Sequence, residues 1–450
     1  MSDTVPAQSS FFTPPTLPKG GGVISAGGGM LSAGGADGSA GWSIPLPVFT
    51  PPARTLAPEM ALVYSSTAGN SEFGAGWQLP VASIRRDTRF GTPRYTADDR
   101  ITGPGGSQLL PTGERRLTSE FPFGPGDRRN YDVSVWLEKN TGPAVRFECW
   151  QARPNADQPR EYSFWIQFSP DGSMTLYGYS KPARIEPKGS TLQTAEWRLE
   201  ETVTARGEHI VWHWQGEDLR GCDETEKENH FNVANAYLSR VSWANNNAAR
   251  HFLVPAGEAG AYAFPCFMVF DYGERNTPEE EIPPESGGAN WTVRSDAFSH
   301  WRYGFEVRTR RLCQEILLFH NKKMLDSAGG FAFRLVSRLR LNHVTSPAVS
   351  WLASVQQLAY EEDGTVLKMP PVEFDLSQPQ ALPGQDAWEP RTDLDGFCPP
   401  YWQMADLYGE GLPGLLYQDA GAWWYRAPER SAQDTADGVT WGQARRLPQI

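Results

Sequence analysis

His209 and His213 stand four residues apart, a spacing that suits two zinc ligands on one face of a helix. The metalloprotease pattern also needs a glutamate directly after the first histidine, but that position holds Ile210. Residues 208–214 are rich in strand-forming side chains, and on a strand the two histidines share a face with no third ligand nearby in the sequence. We therefore expect packing or surface roles for both histidines, and no metal site.

The adjacent carboxylates of Asp98 and Asp99 are candidates for paired-acid or calcium chemistry. Adjacent side chains on a strand point to opposite faces, so such a pair rarely shares one reaction centre. The surrounding segment is rich in glycine and proline, and we interpret the two residues as a solvated turn.

Residues 406–411 are similar to a calcium loop of the Asp-x-Asp-Gly type. Calcium needs several oxygen ligands at alternating positions, but Tyr408 and Gly414 occupy places that should supply them. Only Asp406 and Glu410 remain, so a structural turn is favoured over a metal site.

Lys19 precedes three glycines, which suggests a phosphate-binding loop. That loop requires its glycines before the lysine and a helix after it, and neither condition is met. We exclude nucleotide binding and predict no cofactor and no catalytic residue.

The elements that position these residues are predicted to be strands. The 450 residues include 44 glycines, 37 prolines, 17 tryptophans, 15 tyrosines and 22 phenylalanines. Frequent glycine and proline residues, together with many aromatic residues, favour short strands and turns over long helices. Residues 131–214 show this best, with strands predicted at 131–136, 145–150, 162–168, 174–179, 196–203 and 208–214.

The formal net charge of −12 argues against a nucleic-acid binder, which usually carries a basic face. The short basic runs at 308–311 and 338–340 alternate with apolar residues, and we predict outward strand positions for them. The cysteines are odd in number and lack a CxxC pair, which indicates free, mostly buried thiols. They are Cys149, Cys222, Cys266, Cys313 and Cys398.

The first 15 residues lack the basic and apolar regions of a secretory signal. No stretch of about 20 apolar residues exists that could span a membrane. We predict no signal peptide and no membrane span.

The most informative stretch is residues 62–77, which we call the signature corner. It combines a strand end, a glycine–asparagine turn that tolerates positive φ, and two glycines between bulky aromatic residues. Its signature residues are Tyr64, Ser65, Gly69, Asn70, Phe73, Gly74, Gly76 and Trp77. None is a nucleophile in a catalytic pattern, and we predict a structural role.

This pattern resembles the amino-terminal domain of the Salmonella plasmid virulence protein SpvB, a family shared with the B component of insecticidal Tc toxins. The family's Tyr-Ser pair, Gly-Asn turn and Phe-Gly-x-Gly-Trp motif are all present. Other matching segments are the Gly-Glu-His turn at 207–209, the Phe-Asp-Tyr-Gly-Glu-Arg run at 270–275 and residues 303–313. Two further sets of signature residues follow: Asp271, Tyr272 and Gly273, and Asp406, Gly409 and Gly411.

The resemblance implies a mostly β fold: a large multi-stranded antiparallel β domain with few short helices, then the start of a β-propeller-like blade. We predict a Gly/Pro-rich arm at 1–41, an SpvB-like domain at 42–365, a Pro-rich linker at 366–397 and an incomplete blade-like segment at 398–450. One blade takes about 40 to 45 residues and a propeller at least four blades, so the last segment cannot close one. Either the chain is a piece of a longer protein, which we favour, or this segment folds onto the main domain.

The resemblance implies a non-enzymatic structural or delivery module of a toxin, which forms part of a shell around a toxic cargo. Its implied partners are the Tc-type C component and the pore-forming A component. It also implies a protein that is cytoplasmic before release and then secreted or extracellular.

Three alternatives stay open at this stage. The first is a module that binds glycans or a host surface through Trp423–Trp424 or the strand with Trp212 and Trp214. The second is the translocation module of an ADP-ribosylating toxin whose catalytic domain is absent, since Glu279 and Glu281 match the transferase Glu-x-Glu pair only by chance. The third is a glycosidase, for which no carboxylate pair is identifiable.

Overall fold

A computed structural model describes residues 30–33, 39–49, 51, 54–119, 130–139, 145–154, 161–259, 264–279, 281–288, 290–321, 333–361, 363–375, 394, 396–409, 411–430 and 439–448. The chain divides into two compact units, Met1–Asp375 and Leu376–Ile450. Most of the predicted arm and linker, Lys19, Glu280 and Glu410 lie outside the described residues.

The described part of the first unit contains 23 strands and three short helices. The strands are β1 Met30–Ala33, β2 Ala40–Pro45, β3 Ala61–Ser65, β4 Trp77–Gln78, β5 Ser83–Arg86, β6 Ile101–Thr102, β7 Gln108–Thr118, β8 Tyr131–Glu138, β9 Arg146–Ala152, β10 Tyr162–Phe168, β11 Met174–Tyr177, β12 Arg184–Ile185, β13 Glu196–Val203, β14 His209–Gly216, β15 Ala236–Trp243, β16 Cys266–Asp271, β17 Phe298–His300, β18 Val307–Thr309, β19 Glu315–Asn321, β20 Phe333–Thr345, β21 Ser350–Tyr360, β22 Val366–Lys368 and β23 Val372–Glu373. The helices are a 3₁₀ turn at Lys181–Ala183, α1 Glu224–Asn229 and α2 Leu253–Ala256.

Eight of these strands close into a ring. Strands β5 to β11 pair antiparallel in chain order, and β13 pairs with both β11 and β5. The closing contact sets Glu196 opposite Arg85 and Arg198 opposite Ser83. A closed ring leaves no free edge between its strands.

A second, open sheet starts from the same β13. Its carboxyl half pairs with β14, and the sheet continues through β15, β16, β19, β20 and β21, with β22 and β23 paired to β21. Within β13, Trp197, Leu199 and Val203 are buried, and so are the adjacent Glu200 and Glu201. Burial on both faces is typical of a strand at the centre of a fold, so β13 joins the ring to the open sheet.

The main hydrophobic core joins both sheets to the signature corner. Phe73 and Trp77 belong to the same buried cluster as Trp165, Trp197 and Trp243. The rings of Trp165 and Trp197 meet edge to face with their centroids 5.8 Å apart, a favoured geometry for aromatic pairs. The corner is therefore part of the core and not an appendage.

The second unit contains six described strands: β24 Tyr401–Ala405, β25 Gly414–Asp419, β26 Ala422–Arg426, β27 Pro428–Arg430, β28 Val439–Trp441 and β29 Arg445–Arg446. Four of them form an antiparallel sheet in the order β24-β25-β26-β29, and β27 pairs with β28. That this sheet is a propeller blade stays a prediction, as do the predicted domain boundaries.

The mostly β, antiparallel fold predicted from the sequence is confirmed. The predicted strands at 162–168 and 196–203 coincide with β10 and β13. The alternation of apolar and polar residues over 301–312 predicts one long strand, and this prediction is wrong. Gly304 takes a φ of 81° and donates its N–H to the carbonyl of Trp301, so the chain turns there before β18.

Three of the five arginines in the basic runs at 308–311 and 338–340 do not face solvent, contrary to the prediction. Arg310, Arg311 and Arg338 are fully buried. Their carboxylate partners are Glu226 for Arg310 at 2.8 Å, Glu217 for Arg311 at 2.5 Å and Glu315 for Arg338 at 2.6 Å. Two of these glutamates come from residues 217–226, which cover the arginines and neutralise them.

Candidate functional site: the signature corner

Tyr64 and Trp77 hold the two arms of the corner together. They face each other across β3 and β4, with their ring centroids 5.4 Å apart. Between them Gly76 has a φ of 80°, and a Cβ here would overlap the Tyr64 ring. Only glycine fits where the turn presses the backbone against the tyrosine.

Backbone hydrogen bonds close the turn. The Gly76 N–H donates to the carbonyl of Gly69 at 3.0 Å, and the Ser65 N–H donates to the carbonyl of Gly76 at 2.9 Å. Phe73 and Trp77 then enter the core, each with 1 % of its surface exposed. The structure thus brings all eight signature residues of 64–77 into one local unit.

A completely buried ion pair fixes this turn to a distant part of the chain. The side chains of Arg294 and Asp296 have no exposed surface and share two hydrogen bonds of 2.8 Å. Asp296 also accepts from Asn70 Nδ2 at 2.9 Å and from Ser350 Oγ at 2.6 Å. Arg294 donates to Asn70 Oδ1 at 2.9 Å and to the Ser71 carbonyl at 2.5 Å. These bonds offset the cost of burying the two charges.

Burial alone would raise the pKa of Asp296. Hydrogen bonds from Arg294, Ser350 and Asn70 outweigh it and hold the pKa of this carboxyl well below its usual range. The ionised carboxylate therefore stabilises the fold above the usual aspartate pKa, and this stabilisation is lost as the pH falls below it.

The far side of the corner docks on the open sheet. The Ala75 N–H donates to the carbonyl of Ser350 at 2.9 Å, and His343 Nε2 lies 3.1 Å from the carbonyl of Phe73. Burial lowers the pKa of His343 to about 4, so the neutral ring donates this hydrogen bond at neutral pH. The corner is held by β20 and β21 as well as by the ion pair.

The second signature set forms a tight turn at the end of β16. Asp271 Oδ1 accepts the N–H groups of Gly273 and Glu274, both at 2.9 Å, and Gly273 has a φ of 96°. The Tyr272 hydroxyl donates to the carbonyl of Leu238 at 3.0 Å. These bonds make an Asx turn anchored on the open sheet.

Two neighbouring residues connect this turn to the signature corner. The Cys313 N–H donates to the carbonyl of Glu72 at 2.7 Å, and the Gln314 N–H donates to the carbonyl of Asp271 at 2.8 Å. The first two signature sets thus meet through one short segment, whereas the third lies in the second unit.

The Gly207 turn ties a further pair of segments to the sheet. Gly207 has a φ of 79°, and a Cβ here would lie 2.7 Å from the backbone nitrogen and oxygen of Ala249. The next residue, Glu208, accepts hydrogen bonds from the Thr55 hydroxyl at 2.7 Å and from the Leu56 N–H at 3.0 Å. The turn therefore contacts the backbone of Ala249 on one side and residues 55–56 on the other.

His209 completes this turn and is fully buried with Glu201. Its Nδ1 lies 2.7 Å from Glu201 Oε1, and its Nε2 lies 2.8 Å from the carbonyl of Ala249. A carbonyl oxygen only accepts, so Nε2 carries a proton. Both ring nitrogens are thus engaged and neither is available to a metal.

The third signature set forms a turn after β24. Asp406 Oδ2 accepts the Gly411 N–H at 2.9 Å, and Gly409 and Gly411 have φ values of 72° and 77°. Within the described ranges, no group of three or more His, Cys, Asp or Glu side chains is placed to hold a metal ion.

Two of the acidic residues considered in the sequence analysis, Glu279 and Asp99, form ion pairs in the structure. Glu279 is bound by Arg340 at 2.9 Å and by Lys368 at 2.6 Å. Asp98 is exposed as expected, but Asp99 is not solvated. The Asp99 carboxylate pairs with Arg86 at 2.8 Å and also accepts backbone N–H groups of residues 94 and 95. The interpretation of Asp99 as a solvated residue is therefore wrong.

Sequence reasoning did not single out Arg294 and Asp296. Their i, i+2 spacing places two opposite charges on one face of an extended segment. Asp87 and Arg89 have the same spacing, yet Arg89 is 65 % exposed. The spacing alone could not have distinguished a buried pair from a surface pair.

The signature corner and its anchoring ion pair, Arg294 with Asp296, lie in a region shared with a known family. The family model described as Salmonella virulence plasmid 65kDa B protein, SpvB, matches residues 34–322. The chain belongs to the SpvB family. The resemblance read from the signature motifs is confirmed.

Among SpvB-family relatives, the mono(ADP-ribosyl)transferase SpvB of Salmonella choleraesuis strain SC-B67 is 35 % identical over 368 residues, which are 80 % of this chain and 59 % of the transferase. The N-terminal domain of effector protein SpvB from Salmonella typhimurium strain LT2 matches with a TM-score of 0.63 and 32 % identity, over 71 % of this chain and 98 % of that domain. A chain of the Photorhabdus luminescens Tc holotoxin pore, determined with a substituted TccC3, matches with a TM-score of 0.82 and 38 % identity, over 99 % of this chain and 20 % of that chain.

The chain therefore spans about three fifths of the SpvB transferase and a fifth of the holotoxin chain. Its relatives are virulence and toxin proteins. No helix among the described residues is both long enough and apolar enough to cross a membrane.

Proposed function

We propose that this SpvB-family chain is a non-enzymatic structural module of a bacterial toxin, equivalent to the SpvB-like region of a Tc-type B component. In this role it forms part of a protein shell around a toxic cargo. The observation that carries the proposal is the likeness of nearly the whole chain to one chain of a Tc holotoxin pore.

The charge arrangement supports a static wall. Arg311 and Glu217 are both fully buried and lie 2.5 Å apart, and Arg294 and Asp296 are equally enclosed. Charges paired in this way hold segments in place and are not free to meet a substrate. A shell needs such fixed geometry more than it needs reactive groups.

The partners proposed for the complete protein are a Tc-type C component, with which the shell would close, and a pore-forming A component. We propose no nucleic-acid partner. We also propose that the protein is made in the cytoplasm and then released from the cell.

Copurification tests the assembly. When the 450-residue chain is coexpressed with a Tc-type C component, the two are expected to elute together in size-exclusion chromatography, because the module supplies wall surface to the shell. An unrelated antiparallel β protein of similar size serves as the control. Separate elution of the two components would count against the shell role.

An activity assay tests the absence of enzymatic function. The purified chain is expected to show neither NAD hydrolysis nor ADP-ribosyl transfer, since Glu279 is held by Arg340 and Lys368. The full-length SpvB transferase is the positive control. Transfer that disappears in the variant Glu279→Gln with Glu281→Gln would overturn the non-enzymatic assignment.

One observation favours the glycan-binding alternative. Tyr401, Trp402 and Trp423 are 67 %, 57 % and 46 % exposed and line an open groove of about 390 Å³ in the second unit. The other candidates do not fit, because Trp212 is buried and Trp214 Nε1 donates to a backbone carbonyl. Saturable retention on a glycan array, lost on Trp423→Ala, would favour this alternative over the shell.

A further alternative is the translocation module of an ADP-ribosylating toxin, which the likeness to the SpvB N-terminal domain supports. The reading frame after Ile450 distinguishes it from a Tc-type B component. Propeller repeats would support the B component, and a polyproline run before a transferase would support the toxin.

A further inference from the structure

A cleft of about 270 Å³ opens beside the Asp271 turn, on the open sheet of the first unit. Strands β14, β15 and β16 form its floor, and residues 274–275 and 285–288 form its wall. Three arginines, Arg220, Arg240 and Arg275, line it together with Glu274 and Glu285. The cleft thus has more arginines than carboxylates, although the chain has a net charge of −12.

Arg240 is the least neutralised of these cations. Its guanidinium lies 3.5 Å from the centroid of the Phe267 ring, and its Nε donates to Ser242 Oγ at 3.0 Å. Its carboxylate neighbour Glu285 is 3.9 Å away, at the limit of an ion pair. Burial lowers the pKa of Arg240, which reports the cost of holding this charge against an aromatic floor.

Arg275 forms the second side of the cleft and is held rigidly. Its Nε donates to the carbonyl of Pro284 at 2.9 Å, and its Nη2 donates to the carbonyl of Glu285 at 2.6 Å. Its Nη1 is 3.7 Å from Asp271. A Cβ on Gly287 would lie 3.4 Å from the same Nη1, so the glycine backbone passes directly over the guanidinium.

Glu274 adds a proton-sensitive group. It is partly buried beside Asp271, and its Oε2 accepts the Tyr272 N–H at 2.7 Å. Burial, together with the hydrogen bond to Asp271 and the charge of Asp271, raises the pKa of Glu274 to about 7. The groups that face Glu274 are Asp271 and Arg275 on its own turn, Arg220 and Arg240 across the cleft, Glu285 on the wall and the buried Cys313 thiol.

We propose that this cleft binds a small oxyanion, with a phosphate or carboxylate as its charged group, and that binding is coupled to proton uptake by Glu274. Arg240 supplies the positive charge, and its contacts with Phe267 and Ser242 fix its position. When Glu274 is protonated, the cleft loses one negative charge and attracts an anion more strongly.

Titration calorimetry on the full 450-residue chain tests this proposal. Inorganic phosphate and succinate are the two probes, and sodium chloride at equal ionic strength is the blank. Binding of at least one probe is expected at pH 6. The pH dependence is measured with succinate, because phosphate itself loses a proton between pH 6 and pH 8. Succinate is expected to bind about tenfold or more weakly at pH 8 if one proton is taken up with each anion. Comparing the two probes shows which oxyanion the cleft prefers.

Two variants and a control make the outcome decisive. Arg240→Met, which keeps contact with Phe267, is expected to weaken binding about tenfold or more, because a hydrogen bond to a charged group is lost. Glu274→Gln is expected to bind succinate about equally at pH 6 and pH 8. Arg153→Met, at a half-exposed arginine paired with Asp132 outside the cleft, is expected to bind like the unmodified chain. Near-ultraviolet circular dichroism verifies that each variant is folded. No heat from either probe at pH 6, or unchanged binding by folded Arg240→Met, would overturn the proposal.

Discussion

Replacing Arg294 with methionine is expected to lower the free energy of unfolding by about 3–5 kcal/mol, because it leaves the Asp296 carboxylate buried without its cation. The arginine also holds Asn70 and the carbonyl of Ser71, so the signature corner loses its anchor at the same time. Urea unfolding followed by tryptophan fluorescence measures the change, since Trp77 lies in the affected core.

The matched control for this substitution is Arg89→Met. Arg89 and Asp87 have the same two-residue spacing and a hydrogen-bond distance of 2.7 Å, but the arginine lies on the surface. The decrease in the free energy of unfolding caused by Arg89→Met is expected to be much smaller, because solvent screens the pair. Adding Asp296→Leu to Arg294→Met should recover part of the stability, since no stranded charge then remains.

The stability lost in Arg294→Met should also depend on pH. In the unmodified chain the ionised Asp296 stabilises the fold above the usual aspartate pKa, and that contribution falls away in acid. Without Arg294, ionisation of the Asp296 carboxyl no longer stabilises the fold. The difference in free energy of unfolding between Arg294→Met and the unmodified chain should therefore become smaller as the pH falls below 4. Equal losses for the Arg294 and Arg89 variants would show that the buried pair does not anchor the corner.

Local sequence patterns predicted many strands but not how they assemble. The run at 196–203 has the alternation and the flanking turns of a strand, and β13 forms there. Nothing in that run indicates that Trp197 pairs with Ile84, more than a hundred residues earlier, to close the ring. Long-range pairing depends on which surfaces fit together, and one sequence without its fold does not show this.

The same limit explains the errors over charged residues. Alternation of apolar and basic residues does not show which other segment covers a charged side chain. Arg311 was predicted to meet water, and it meets Glu217 from a segment 94 residues away. Asn70 is similar, because its partner Asp296 is 226 residues distant. The corner could be predicted from its glycines and aromatic residues, whereas its anchor could not.

The Gly207 turn is a second place where a small change should have a large effect. Gly207→Ala is expected to lower the free energy of unfolding by two contributions. Alanine at positive φ costs about 1–2 kcal/mol, and the new Cβ would lie 2.7 Å from backbone atoms of Ala249, which adds about 1–3 kcal/mol of overpacking. The contact is with backbone, so no side chain can rotate away to relieve it.

Gly257→Ala separates the two contributions. Gly257 follows α2 with a φ of 73°, close to the 79° of Gly207, but a Cβ there would meet nothing within 4 Å. Its substitution should therefore show only the backbone cost, and the difference between the two variants in urea unfolding measures the steric contact. The Ala249 carbonyl is also the acceptor of His209 Nε2, so displacing it strains the buried pair with Glu201. If the two alanine variants unfold at the same urea concentration, the Ala249 segment yields without cost, and the Gly207 turn is not a fixed point of the fold.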